Sequence, residues 1–457
     1  MGYFRMKNKH NMYINYERSY KKRRHSGKNK LLIILFIIIL AIGLGLATYY
    51  IIEAQLNSKN NVGEQTNIKG LEGELDSEQL QTQPVIQATQ QPTPTIVARV
   101  TLQPTPTIVA SVVAVNEPLE TKDTRIPTKV KGVYVTSRVA SSNLIDKLVE
   151  LVDTTEVNAM VIDIKDDQGK ITYAMDSDMA QEIGAVTNTI TDVETLVSTL
   201  KEKGIYLIAR IVAFKDPYLA EQRQELAIKN QDGSLYRDNN DECWVNPYNH
   251  DVWDYLLEVA TQAATVGFNE IQFDYIRFST GGKISEADFG EDAKTKNKQE
   301  VITEFTKYVY EKLKPLGVFV SADVYGTIIS SSIDAGLVGQ DYVEMSKYLD
   351  YICPMIYPSH YGEGNYGIKY PDLEPFNLIR KVMTASKTKL DQIPAGEHRA
   401  IVRPWLQDFT ASWIKHHMKY GGPELREQIK GVYSAGYEEW LLWNASCNYS
   451  EDGLQQE

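Results

Sequence analysis

Three cysteines in 457 residues, Cys243, Cys353 and Cys447, are too few and too scattered for a disulfide framework. The odd count leaves at least one unpaired or bonded to another chain, and their spacing matches no zinc site. Histidine is also sparse, with seven in all. No H-E-x-x-H or comparable histidine–carboxylate cluster occurs. His416 and His417 are neighbours on a predicted helix and so cannot face one ligand together, and His250 and His360 read as isolated surface-loop residues. There is no G-x-S-x-G elbow and no phosphate loop. No cofactor and no metal is expected.

An excess of positive charge is missing too. Lys and Arg number 48 against 60 Asp and Glu, a net charge of −12. Ten of the basic residues, with one Glu, lie in residues 1–30, so the remainder carries 38 against 59 and is near −21. A field of that sign repels nucleic acid and anionic lipid, and no nucleic-acid partner is expected. It suits a neutral or cationic substrate. The oligomeric state is left open.

Charge is wholly absent from residues 31–52, "LLIILFIIILAIGLGLATYYII". Twenty-two residues at about 1.5 Å each span roughly 33 Å, enough for a bilayer core. A cleaved signal has a shorter apolar core and a small-residue cleavage site, so an uncleaved signal-anchor is expected. The basic residues 1–30 place the N-terminus in the cytoplasm and the C-terminal domain outside a cell membrane crossed once. Residues 53–127 are rich in Pro, Thr and Gln and repeat "QPTPTIVA" at 91–98 and 103–110. Alternating prolines favour an extended chain without internal hydrogen bonds, which predicts a disordered spacer.

The texture changes at residue 128, and residues 128–457 read as one α/β domain. Eight apolar runs, at 131–136, 158–165, 204–212, 268–278, 317–326, 350–358, 399–407 and 437–444, alternate with amphipathic helical stretches. That alternation predicts parallel βαβ units, and eight of them predict a (β/α)₈ TIM barrel. An open doubly wound sheet would want a Gly-rich turn after the first strand, and "GVYVTSRVASS" offers none.

Functional side chains of such a barrel gather at the C-terminal strand ends. Asp163 and Lys165, Arg210, Asp274, Asp323 and Tyr325, Tyr357, Arg403 and Trp405, and Trp443 fall there on successive strands. Asp163 and Lys165 are also free to pair with each other. In "FNEIQFDYIRFST" (268–280), Ile271, Phe273 and Tyr275 form an apolar face, while Gln272 and Asp274 occupy the other. Two acids on neighbouring strands, Asp274 and Asp323, match the paired carboxylates of glycoside hydrolysis, one protonated and one ionised. Arg210 and Arg277 are placed to hold Asp274 ionised. A buried Asp–Arg network without chemistry is the competing explanation. Trp244, Tyr357, Tyr361, Tyr366, Trp405 and Trp443 supply flat faces for sugar rings, whereas Trp253 has helical spacing and belongs to the core.

The segments "GVYVTSRVA", "WVNPYNHDVWDYLLEVATQAATVGFNEIQFDYIRF", "VSADVYG" and "YICPMIYPSHY" resemble a family of bacterial glycoside-hydrolase-like barrels of largely uncharacterised activity. The resemblance covers nearly all of 128–445. It implies a (β/α)₈ hydrolase domain with Asp274 as nucleophile or stabilising carboxylate and Asp323 as the partner acid. Retaining barrels of this kind usually carry a Glu acid, so a loop residue such as Glu363 is the alternative donor. The sequence thus predicts an anchored, extracellular glycosidase acting on a cell-wall or environmental polysaccharide. Asp274 and Asp323 would be catalytic, with Asp163, Arg210, Trp244, Arg277, Tyr357, Arg403, Trp405 and Trp443 around the substrate. A non-catalytic glycan-binding barrel and a transglycosylase are the alternatives.

Overall fold

Eight short runs of β-branched and aromatic residues become the eight parallel strands of a closed barrel in the computed structural model, which describes Asp123 and residues 125–456. They are β1 (Lys131–Val135), β2 (Ala159–Lys165), β3 (Tyr206–Val212), β4 (Glu270–Asp274), β5 (Phe319–Tyr325), β6 (Tyr351–Met355), β7 in two pieces (Ile401–Val402 and Trp405–Gln407) and β8 (Trp440–Trp443). Each pairs with the next, and β1 pairs with both β2 (Gly132↔Ala159) and β8 (Lys131↔Trp440), which closes the cylinder. Pro404, which lacks an N–H for the ladder, interrupts β7.

Side chains alternate about each strand, and the barrel sorts them into two apolar layers. Ala159 and Val161 on β2, Ile208 on β3 and Leu441 on β8 fill the interior. Met160, Ile162, Leu207 and Phe273 face outward and pack under the helices. The principal helices are Ile145–Thr154, Val193–Glu202, His250–Val266, Lys298–Leu313, Pro375–Leu390 and Gly422–Ser434. Their ends follow the local chemistry: the Asp192 side chain accepts from the Thr195 amide at one start, and Gly267 at φ +110 closes His250–Val266.

Two sequence expectations change. After β8 the chain forms a loop and a short 3₁₀ turn (Glu451–Gly453) in place of an eighth helix. Side chains compete with helix formation there: Asn444 donates to the carbonyls of Asp408 and Asn448, and Asp408 holds Ser450. The segment carrying His416 and His417 is a loop, and the helix begins only at Gly422. All three cysteines are free, Cys243 and Cys353 buried and Cys447 partly so. Among the described residues no helix is long and apolar enough to cross a membrane. The predicted span 31–52 and most of the linker 53–127 lie outside them.

Candidate active site

Strand register decides which side chains meet. Phe273 pairs with Ala322, so the next residues along, Asp274 and Asp323, stand at one level on neighbouring strands. β4 ends at Asp274 and β5 two residues past Asp323, and both acids line a cavity of about 400 Å³ at the C-terminal mouth of the barrel. Its walls come from the ends of β4 to β8 and from the long arm after β3, which supplies Lys215, Asp238, Asn240 and Trp244.

Asp274 is clamped from below. Arg210 Nε and Nη2 donate to its Oδ2 at 3.0 and 2.5 Å. Arg210 is itself gripped by Asp163 Oδ1 at 2.6 Å and Asp167 Oδ1 at 3.0 Å. Tyr134 Oη completes the chain by donating to Asp163 Oδ2. Burial pushes the Asp163 carboxyl up to about 6 against the pull of Arg210. Asp167, despite burial, is drawn below the usual range by Arg210 and Lys215. One guanidinium thus serves three carboxylates, and its contacts fix the orientation of Asp274.

The backbone turns sharply just past Asp274. Tyr275 adopts φ +50, a conformation that costs a non-glycine residue energy and clusters at functional sites. The turn aims the Tyr275 amide at Asp274 Oδ1, 2.6 Å away. It also brings the Tyr275 ring to the cavity, so that face of the strand is apolar only through Phe273.

Asp323 has a different environment. Burial, then the charge of Asp274, push its carboxyl well above the usual carboxylate range and favour the protonated form. Trp405 Nε1 donates to Asp323 Oδ1 at 2.6 Å. The pair therefore divides into an arginine-bound carboxylate and a carboxyl poised to hold a proton, the division that acid-assisted cleavage of a glycosidic bond requires.

Of the other predicted residues, Trp244, Arg277, Tyr357, Trp405 and Trp443 line the cavity. Arg277 packs its guanidinium over the rings of Trp244, Tyr275 and Tyr325 at 4.7–4.9 Å, stiffening a wall, while Arg210 takes the place beside Asp274. Asp163 and Arg210 do not line the cavity; they lie buried beneath it as supports. Asp163 and Lys165 do not pair. A register irregularity between them turns Lys165 to Asp216, 2.7 Å away. Glu363 is largely exposed, 3.7 Å from His416, and is not part of the cavity.

Arg403 is a clear correction. It lies before the break in β7, fully buried, and pairs with Glu270 and Glu439 at 2.9 Å while covering the Tyr351 ring at 3.7 Å. Glu270 and Tyr351 each begin a strand, so this cluster sits at the opposite end of the barrel from the cavity. Removing the guanidinium strands two buried acids. Arg403→Met is expected to cost about 3–5 kcal/mol in chemical denaturation and to leave the KM of the folded fraction unchanged. A raised KM at unaltered stability would return Arg403 to the site.

The sequence missed other lining residues. His360 lines the cavity beside Tyr357 and Phe409, where burial lowers its imidazole to about 3 and keeps it neutral. Phe409 and Trp413, stacked 18° from parallel, come from the loop after β7. Asn444 to Ser446 follow β8. The available signal was the spacing of Phe409 and Trp413, four apart in the loop after β7.

Comparison with known proteins bears on the family and the fold. A family model described as "Putative glycosyl hydrolase domain" matches residues 132–449. No protein among curated ones matches. A hypothetical protein from Ruminiclostridium thermocellum ATCC 27405 is 40% identical over 42% of this chain and 97% of its own, with a TM-score of 0.39. The PgaB (BpsB) glycoside hydrolase domain from Bordetella bronchiseptica is 12% identical, covering 72% of this chain and 99% of its own, with a TM-score of 0.50, and shares the fold. The spore cortex-lytic enzyme SleL of Bacillus megaterium QM B1551 is 10% identical over 72% and 74%, with a TM-score of 0.41. By the extent of the family match, the chain belongs to this glycosyl hydrolase domain family.

Proposed function

We propose that the chain is a membrane-anchored, cell-surface glycosidase that hydrolyses a cell-wall or environmental polysaccharide. The observation that supports this most strongly is the pairing of Asp274, bound by Arg210, with Asp323, driven toward its protonated form, in one aromatic-walled cavity. Asp274 carries negative charge opposite the anomeric carbon, and Asp323 gives its proton to the leaving oxygen. Tyr357 contributes to the floor on which a sugar ring lies, while Trp405, 1% exposed, supports the wall from behind. Eight of the cavity's lining residues are aromatic, which suits the apolar faces of pyranose rings.

The apolar stretch 31–52 behind a basic segment supports anchoring with the catalytic domain outside the cell, held off the membrane by residues 53–127. As a flexible coil those 75 residues reach roughly 45–50 Å. Protease treatment of intact cells should release the folded domain; complete protection would contradict this orientation. For the activity, the detergent-solubilised full chain is tested against wall glycans and plant polysaccharides with detection of new reducing ends. Saturable glycan binding with no release by the wild type would favour a binding module instead.

A further inference from the structure

The Asp323 carboxyl receives one side-chain hydrogen bond among the described residues, and its donor can only donate. Trp405 Nε1 lies 2.6 Å from Asp323 Oδ1. An indole N–H has no lone pair with which to accept. A neutral carboxyl accepts best on its carbonyl oxygen, so the indole selects Oδ1 as that oxygen. We propose that Trp405 is the positioning residue for the proton donor: it fixes the acidic proton of Asp323 on Oδ2, the oxygen the indole does not engage. This rests on the glycosidase assignment for its purpose, though not for its test.

The indole is built to hold that geometry. Trp405 is 1% exposed, sits in the second piece of β7 and pairs in register with Met355 on β6 and Leu441 on β8. Its ring meets Trp443 edge-on at 5.8 Å. A donor locked in this way needs no reorganisation when charge appears on Asp323. In the reaction, the proton on Oδ2 moves to the glycosidic oxygen, which keeps the electron pair of the breaking C–O bond. The positive charge left at the sugar carbon faces the Asp274 carboxylate. Asp323 is left as an anion, and its bond from Trp405 becomes charge-assisted and stronger. An interaction that strengthens as the barrier is crossed raises the rate rather than ground-state affinity. The same bond opposes the upward pull of burial on Asp323 and keeps it able to release its proton.

The test follows the indole N–H resonances of the detergent-solubilised full chain, labelled at its six tryptophans, from acid to alkaline pH without any substrate. One resonance is expected to titrate with a midpoint well above the ordinary carboxylate range. It should lose that titration in Asp323→Asn and vanish in Trp405→Phe. If no indole signal responds to Asp323→Asn, the proposal is overturned, whatever the enzyme does to glycans. On a cleaved glycan, Trp405→Phe should lower kcat about tenfold for a sugar leaving group, less for an acidic phenol, with little change in KM. Equal losses for both leaving groups would mark a merely structural tryptophan and overturn it as well. Should Trp405→Phe fail to fold, the comparison of wild type with Asp323→Asn still decides.

Discussion

Asp274→Asn is expected to lose roughly 10³-fold or more in kcat on any glycan the wild type cleaves, because it removes the charge that meets the developing cation. The fold should survive. Asparagine has nearly the same shape, and Arg210 keeps Asp163 at 2.6 Å and Asp167 at 3.0 Å as partners. Asparagine's single amide oxygen can keep either the Arg210 contact or the Tyr275 amide, so one of the two is given up. Reducing-end assays measure the loss, and a thermal midpoint within a few degrees of wild type shows that it is chemical. An Asp274→Asn enzyme of undiminished rate would remove Asp274 from the mechanism.

Asp323→Asn should cost on the order of 10²–10⁴-fold when the leaving group needs a proton, and far less when it does not. The pH dependence has a definite sign. Asp323 acts while protonated, and its pKa is raised, so wild-type activity falls as pH rises through that shifted value. Asp323→Asn should lack this alkaline limb. Stability moves in the same direction: a carboxyl with a raised folded-state pKa contributes fully below its unfolded value, and that contribution disappears as pH rises through the folded one. The asparagine variant should therefore lose less stability than wild type on going alkaline, as read by denaturant midpoints across pH.

Much of this site was legible because strand periodicity is simple. An acid ending an apolar run on each of two neighbouring strands predicts convergence, and the Phe273↔Ala322 pairing delivers it. What failed was depth along a strand and anything set by irregular backbone. Arg403 looked like a rim residue because its run of sequence was long, yet Pro404 splits β7 and leaves Arg403 among residues that begin strands. The irregularity after Asp163 turned Lys165 toward Asp216. The turn at Tyr275 took that ring off the outward face. His360, Phe409 and Trp413 lie in loops, where no periodicity says which way a side chain points.

Arg277 shows a related limit. Sequence proximity to Asp274 suggested a direct counter-ion, and Arg210, sixty-four residues away, has that role because its strand is the neighbour of β4. Charge complementarity can be read from composition; which of two arginines supplies it depends on register.

The most direct test of the carboxylate pair is the reducing-end rate of the Asp274→Asn, Asp323→Asn and double variants on one glycan. Groups that act on the same bond are strongly non-additive, so the double variant should be no slower than the slower single one. A double variant whose loss equals the product of the two single losses would mean that the acids work independently, and would contradict a shared catalytic site.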